Sequence, residues 1–206
     1  MNTRYRRIVW LAVVVTLCVS RTAPAQTTQA TNPWSHGTTL NVFAGVNSAS
    51  SQGGSLAGGA VEWEVSRWLA VEGIGSWLDR GTGADAFAAD LKAIVSPVIA
   101  RQFVPFVQGG IGMYRASFDL SRAEIPDFYR SRLAATASGI DSTITLTDPS
   151  FIVGGGVNLF VRPHVAIRPD IQAKVIRHDS RSYVVATIAV HLAYHFETHP
   201  ITQGHR

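Results

Sequence analysis

The chain has 206 residues, and its 18 basic and 14 acidic side chains give a formal charge of +4. Four of the basic residues, Arg4, Arg6, Arg7 and Arg21, lie in a leader with no acidic residue, so the remainder carries 18 − 4 = 14 basic against 14 acidic groups. That balance leaves no net basic face of the kind nucleic acid requires, so no nucleic-acid partner is expected.

The leader reads as an export signal over residues 1–25. A basic start precedes the apolar run Ile8 to Val19, and Ala23-Pro24-Ala25 forms a small-x-small cleavage site. The run is shorter than the roughly 20 residues a spanning helix needs. Cys18 leaves with the signal, and Leu17 before it is too bulky for a lipoprotein site. The exported remainder, Gln26 onward, has no cysteine, so disulfides cannot stabilise it. Its length fits one domain. No later stretch is long and apolar enough for a spanning helix, so only alternating strands would place this chain in a membrane.

Residues 26–37 are polar and read as a flexible lead-in. Strand one is expected over Thr38 to Asn47, followed by a Ser/Gly loop from Ser48 to Ser55. Strand two, Ala57 to Val65, sets Val61, Trp63 and Val65 against Ala60, Glu62 and Glu64. After a tight turn at Ser66-Arg67, strand three, Trp68 to Leu78, sets Leu69, Val71 and Trp77 against Glu72 and Ser76. Strand four, Ala86 to Ile99, sets Phe87, Leu91, Ala93 and Val95 against Asp90, Lys92 and Ser96. Strand five, Phe103 to Phe118, sets Val107, Ile111 and Met113 against Gln108 and Tyr114. Strand six, Ser150 to Val161, carries Phe151, Val153, Val157 and Leu159 on one face. Strand seven, Val165 to Ile176, separates Val165, Ile167, Ile171 and Val175 from Arg168, Asp170, Gln172 and Lys174. Strand eight, Tyr183 to Phe196, puts Val184, Ile188, Val190, Leu192, Tyr194 and Phe196 on one face, with His191 and His195 on the other. Strands have period two, so each segment presents two different surfaces.

Connections after strands two, four and six read as short, and those after strands one, three, five and seven as generally longer. That rhythm fits an up-and-down barrel with short periplasmic turns, longer outer loops and both termini in the periplasm. The longest link, Asp119 to Asp148, mixes charges. A short helix over Pro126 to Ala137, with Pro126 in its first turn, is expected there. Thr143 to Thr147 extends strand six, and an extra pair of strands in this link is the rarer outcome.

Three features point the apolar face outward. The other face carries Glu62, Glu64, Glu72, Asp90, Lys92, Arg168, Asp170 and Lys174, a candidate polar network in the lumen. It also carries Gly45, Ala60, Gly110, Gly112, Gly154 and Gly156, which relieve crowding in an eight-stranded interior only just wide enough for side chains. Aromatics cluster near the strand ends, with Trp63, Phe103, Tyr194 and Phe196 at one edge and Trp77, Phe87 and Phe151 at the other, as interface girdles do. The fold class expected is all-β, an eight-stranded antiparallel up-and-down transmembrane β-barrel.

Three segments, Pro105-Phe106-Val107-Gln108-Gly109-Gly110-Ile111-Gly112, Gly154-Gly155-Gly156-Val157 and the closing Tyr194-His195-Phe196, give residues 38–196 a resemblance to the OmpA/OmpX-like outer-membrane β-barrels. The resemblance implies an outer-membrane location among lipid and lipopolysaccharide, and delivery by the barrel assembly machinery through Tyr194 and Phe196. Residues 197–206 continue past the point where such chains often stop and read as a periplasmic tail. Small members of that family serve envelope integrity, adhesion and stress resistance, which implies a structural or surface-interaction role and an extracellular partner for the long loop.

Enzymatic readings are weaker. Glu62 and Glu64 lie about 6.6 Å apart along a strand, within range for paired glycosidase carboxylates, but a filled barrel has no room for a sugar and buried carboxylates need cations. His191 and His195 share a face but stand about 13 Å apart along the strand, too far to ligate one metal. His178-Asp179-Ser180 resembles the His-x-Ser motif of outer-membrane lipid A deacylases, yet no Glu between Ser180 and Glu197 is there to orient the histidine. The glycine clusters lie inside strand patterns and not at strand-to-helix junctions, so they are not nucleotide loops. No enzyme activity, cofactor or metal is expected. The alternatives are a narrow porin-like channel, a soluble periplasmic ligand-binding barrel and, least favoured, a lipid A hydrolase.

Overall fold

A computed structural model describes residues 37–49, 52–97, 103–136 and 142–196. The leader 1–25, residues 26–36 of the lead-in and the tail 197–206 lie outside the described residues. Eight strands form one closed antiparallel barrel in chain order: β1 (Thr38–Ala49), β2 (Gln52–Ser66), β3 (Leu69–Asp79), β4 (Ala84–Val95), β5 (Phe103–Asp119), β6 (Thr143–Arg162), β7 (Val165–His178) and β8 (Arg181–His195). One helix, α1 (Asp127–Thr136), interrupts the β5–β6 connection. Its first turn forms as Pro126 permits, with the Tyr129 and Arg130 amides donating to the Pro126 carbonyl at 2.9 and 3.1 Å.

The register fixes the tilt. Starting at Thr38, the pairs run through Trp63, Val71, Ala93, Gly109, Val153, Ala173 and Ala186 back to Ser48, ten residues further along β1. A shear of ten over eight strands, with a rise of about 3.3 Å and a spacing of about 4.8 Å, tilts the strands by about 40°.

Sidedness follows the alternation. Val42, Val71, Ile111 and Leu192 point outward, with Ile111 60 % exposed and Leu192 55 %. Glu62, Glu72, Lys92, Arg168, Asp170 and Lys174 are buried inside. The barrel is therefore inside-out relative to a soluble one. Interior glycines make the bore passable for long side chains. A Cβ at Gly112 would overlap the Asp90 carboxylate, and one at Gly110 would press on Lys92.

The strand limits depart from the sequence reading in three places. The expected Ser48–Ser55 loop is mostly strand, because β1 reaches Ala49 and β2 starts at Gln52. Its Gly and Ser residues read as loop, but they serve close packing: a Cβ at Gly54 would strike the Asp79 backbone, and the Asn47 amide donates to the Ser55 and Asp79 carbonyls at 2.9 Å each. Secondly, β4 stops at Val95 instead of Ile99, just before Pro97, which cannot donate to a ladder. Thirdly, the short-long rhythm of connections is not observed. The gaps after β1 and β7 hold only residues 50–51 and 179–180, whereas the gap after β4 holds residues 96–102. Long strands replace long loops: β7 and β8 join in a two-residue hairpin with Asp179 at φ 51°, a conformation that such tight hairpins require and Asp tolerates. Strand β6 begins at Thr143, as the alternation of Thr143 to Thr147 led us to expect, and no extra strand pair forms among the described residues.

Candidate functional site

The lumen is filled in tiers. Across the wall, Glu62 pairs in register with Glu72, and Glu72 with Lys92. Two carboxylates directly opposite repel unless a cation intervenes. Arg168 supplies it from the far wall, with Nη1 2.8 Å from Glu62 Oε2 and 2.9 Å from Glu72 Oε2. Its guanidinium lies over the Phe106 ring at 4.5 Å. The Lys92 ammonium sits 2.8 Å from Glu72 Oε1 and donates to Gln108 Oε1 at 3.0 Å. Gln108 in turn donates to Asp170 Oδ2 at 3.2 Å, Gln172 donates to the same oxygen at 2.8 Å, and His191 Nε2 lies 3.3 Å from it. The His191 ring stacks on Phe43 with centroids 4.5 Å apart. Five of the charged residues singled out from the sequence thus meet in one tier that spans the bore, where Arg168 and Lys92 pair with Glu62 and Glu72 and the amides of Gln108 and Gln172 donate to Asp170.

The other three stand apart. Lys174 and Asp90 pair with each other at 2.7 Å, nearer the α1 end, and not with the glutamates of that tier. Glu64 is half-buried at the opposite end and lines a small cavity there with Ser66, Trp68 and His195. A second cavity lies on the α1 side of the charged tier, lined by Phe43, Ser76, Asp90, Gln172, Lys174 and Thr187. Each has room for a few waters, and the ion-paired tier stands between them.

An aromatic tier closes the α1 end, and sequence reasoning missed it. Tyr129 of α1 is 1 % exposed and packs against Phe118 and Tyr183, with ring centroids at 5.0 and 5.8 Å. Phe128 stacks on Tyr183 at 5.6 Å. Burial pushes the Tyr129 phenol far above its ordinary range. Arg80, buried beneath, donates to Asn47 Oδ1 and the Tyr183 hydroxyl, each at 2.6 Å. Arg132 of α1 pairs with the buried Asp148 carboxylate at 2.6 Å. The Asp119–Asp148 link is therefore not wholly a displayed loop: α1 folds back into the barrel mouth. Only Pro126 was legible beforehand, because the partners Arg80, Tyr183 and Asp148 are remote in sequence.

His178 needs a correction. Its Nδ1 lies 3.1 Å from Asp148 Oδ1, so β6 supplies the orienting carboxylate that the neighbouring sequence lacks. Its Nε2, however, lies 3.5 Å from the Asp179 carboxylate, which makes the ring a bridge between two acids. Glu62 is likewise occupied by Arg168, which argues against its use as a glycosidase acid.

On the outside, the aromatics fall into two levels. With the tilt above and a rise of about 3.3 Å, Trp63, Phe103, Tyr194 and Phe196 lie roughly 20–25 Å along the axis from Trp77, Phe87 and Phe151. Trp68 joins the first group. All eight are about half or more exposed.

No protein-family model matches the sequence, and no curated protein matches it. Solved structures do. Neisserial surface protein A is similar over 78 % of this chain and 97 % of its own, at 15 % identity and a TM-score of 0.59. The N-terminal β-barrel domain of Pseudomonas aeruginosa OprF matches over 77 % and 98 %, at 11 % identity and 0.54. A major outer membrane protein from Thermus thermophilus matches over 78 % and 100 %, at 14 % identity and 0.51. At such identities the likeness is one of fold. The chain is a closed, eight-stranded antiparallel transmembrane barrel with the architecture of small outer-membrane proteins.

Proposed function

We propose that this protein is a non-conducting structural barrel of the outer membrane that presents its β5–β6 hairpin and α1 to the exterior. The observation that carries this reading is the tier of Arg168, Glu62, Glu72, Lys92, Gln108 and Asp170 across the bore, with the α1 aromatic tier closing the mouth above it. A wall of apolar side chains bounded by two aromatic levels roughly 20–25 Å apart fits the apolar band of such barrels, about 25 Å tall. In this reading Trp63, Phe103, Tyr194 and Phe196 mark the periplasmic interface, and Trp77, Phe87 and Phe151 the outer one. Tyr194 and Phe196 serve as the barrel assembly signal, and both termini are periplasmic. Orientation now rests on the 23-residue gap 120–142 between β5 and β6, because longer connections belong outside.

The role is to stabilise the envelope and to offer an extracellular partner a pre-formed surface, without catalysis. Two measurements test it. Refolded protein is expected to run at a different gel position unboiled than boiled, and to give no discrete openings in a planar bilayer. Discrete conductance would replace this reading with the channel one, and recovery in the soluble periplasmic fraction would replace it with a ligand-binding barrel.

A further inference from the structure

We infer that the outward face of β5–β6–β7, at the α1 end, holds the phosphate of a lipid A-type headgroup between Arg115 and Arg177. Arg115 pairs in register with Phe87 on one side and Thr147 on the other. Arg177 stands two residues beyond Val175, the partner of Phe151. Both guanidiniums therefore leave the wall just past the upper aromatic level, where headgroups begin. Strand β6 runs between them, and its Thr147 and Pro149 share the same outward, exposed face. Two strand spacings and a two-residue stagger set the Arg115 and Arg177 Cα atoms about 12 Å apart, so two extended arginines can close on one phosphate from either side.

Charge and chemistry agree. Both arginines are exposed, and among the described residues neither pairs with a carboxylate, in contrast to Arg130, Arg132 and Arg168. Arginine is the side chain whose planar fork best matches phosphate oxygens. The Thr147 hydroxyl adds a neutral donor between them. An aliphatic stem lying over Phe87 or Met113 with its charge in the headgroup layer is the ordinary habit of an interfacial arginine.

This inference rests on the outer-leaflet placement proposed above. The test uses the barrel refolded in detergent, with its gel shift on boiling recorded first; absence of that shift would count against the barrel reading itself. Native mass spectrometry then follows retention of diphosphoryl lipid A, fully dephosphorylated lipid A and phosphatidylglycerol. The wild type is expected to retain the diphosphoryl form about tenfold better than the dephosphorylated one. Arg115→Gln with Arg177→Gln is expected to erase that preference, whereas Asp85→Asn leaves it intact. A folded double variant that keeps the preference overturns the site. Retention of phosphatidylglycerol equal to that of diphosphoryl lipid A overturns the assignment of its ligand.

Discussion

Arg168 is the side chain whose loss the barrel should feel most. Replacing it by Met keeps much of the volume and the contact with Phe106 but leaves Glu62 and Glu72 facing each other with only Lys92 nearby. Two charge-assisted bonds, at 2.8 and 2.9 Å, disappear. At about 1.5–3 kcal/mol each for bonds to charged groups, the loss sums to about 3–6 kcal/mol, which overlaps the roughly 3–5 kcal/mol typical of stranding a buried charge. The cost arises from the orphaned carboxylates, so neutralising them should recover most of it. Arg168→Met combined with Glu62→Gln and Glu72→Gln is expected to return to within about 2 kcal/mol of wild type. Urea titration of the barrel refolded in lipid vesicles measures this, read through the fluorescence of the outward-facing Trp63, Trp68 and Trp77. A single variant that loses less than about 1 kcal/mol, the scale of an exposed ion pair, would refute the reasoning. So would a triple variant no more stable than the single one.

Other consequences are sharper in kind than in size. Tyr129→Ala should release α1 and speed tryptic cleavage at Arg130 and Arg132 by about tenfold or more, as expected when a local opening cost falls by about 1.4 kcal/mol. Tyr129→Phe should leave the cap intact, because among the described residues the buried hydroxyl has no hydrogen-bond partner to lose. The raised Tyr129 pKa gives the cap full strength below the ordinary tyrosine value of 10.0 and erodes it as pH rises beyond that. Ultraviolet difference titration of wild type against Tyr129→Phe should therefore show one phenol resisting ionisation at about pH 11, a unit above the ordinary tyrosine value, and normal ionisation would refute its burial. Gly112→Val should cost about 2–3 kcal/mol by overpacking, because its Cβ meets the Asp90 carboxylate and Ala89 backbone; unchanged urea stability would contradict the packing. Val190→Arg, midway between the aromatic levels, should cost roughly 2–4 kcal/mol in lipid, against about zero for Ser117→Arg beyond the upper level. Equal costs would speak against a bilayer around the wall.

Period-two alternation made most of the wall legible, because in a single-layer barrel every residue faces either lipid or lumen. Val184 to Phe196 and Val165 to Ile176 show this plainly, and the alternation also places Glu72, Lys92 and Arg168 indoors. The tight packing of the walls hid the β1–β2 hairpin. Gly58 lies where a Cβ would meet both Phe43 and the Gly75 carbonyl, yet glycine in a sequence reads as a turn. Pairings across the bore were hidden for a different reason. Arg80 finds Tyr183 across 103 positions of sequence, and His178 finds Asp148 from a neighbouring strand; neither pairing has a local signature. Helix α1 could be located from Pro126, but nothing around Phe128 and Tyr129 announced that their rings would turn inward, since the apolar partners they cover come from the far ends of β5 and β8.

In the non-conducting reading proposed above, a cylinder whose axis is already occupied by its own salt links has a consequence for the cell that carries it. Open pores must be rationed, since every added copy widens the route for detergents and drugs. A plugged one can crowd the envelope without making it leakier, and its abundance can be set by mechanical need or by how many outward-facing copies an encounter with another surface requires.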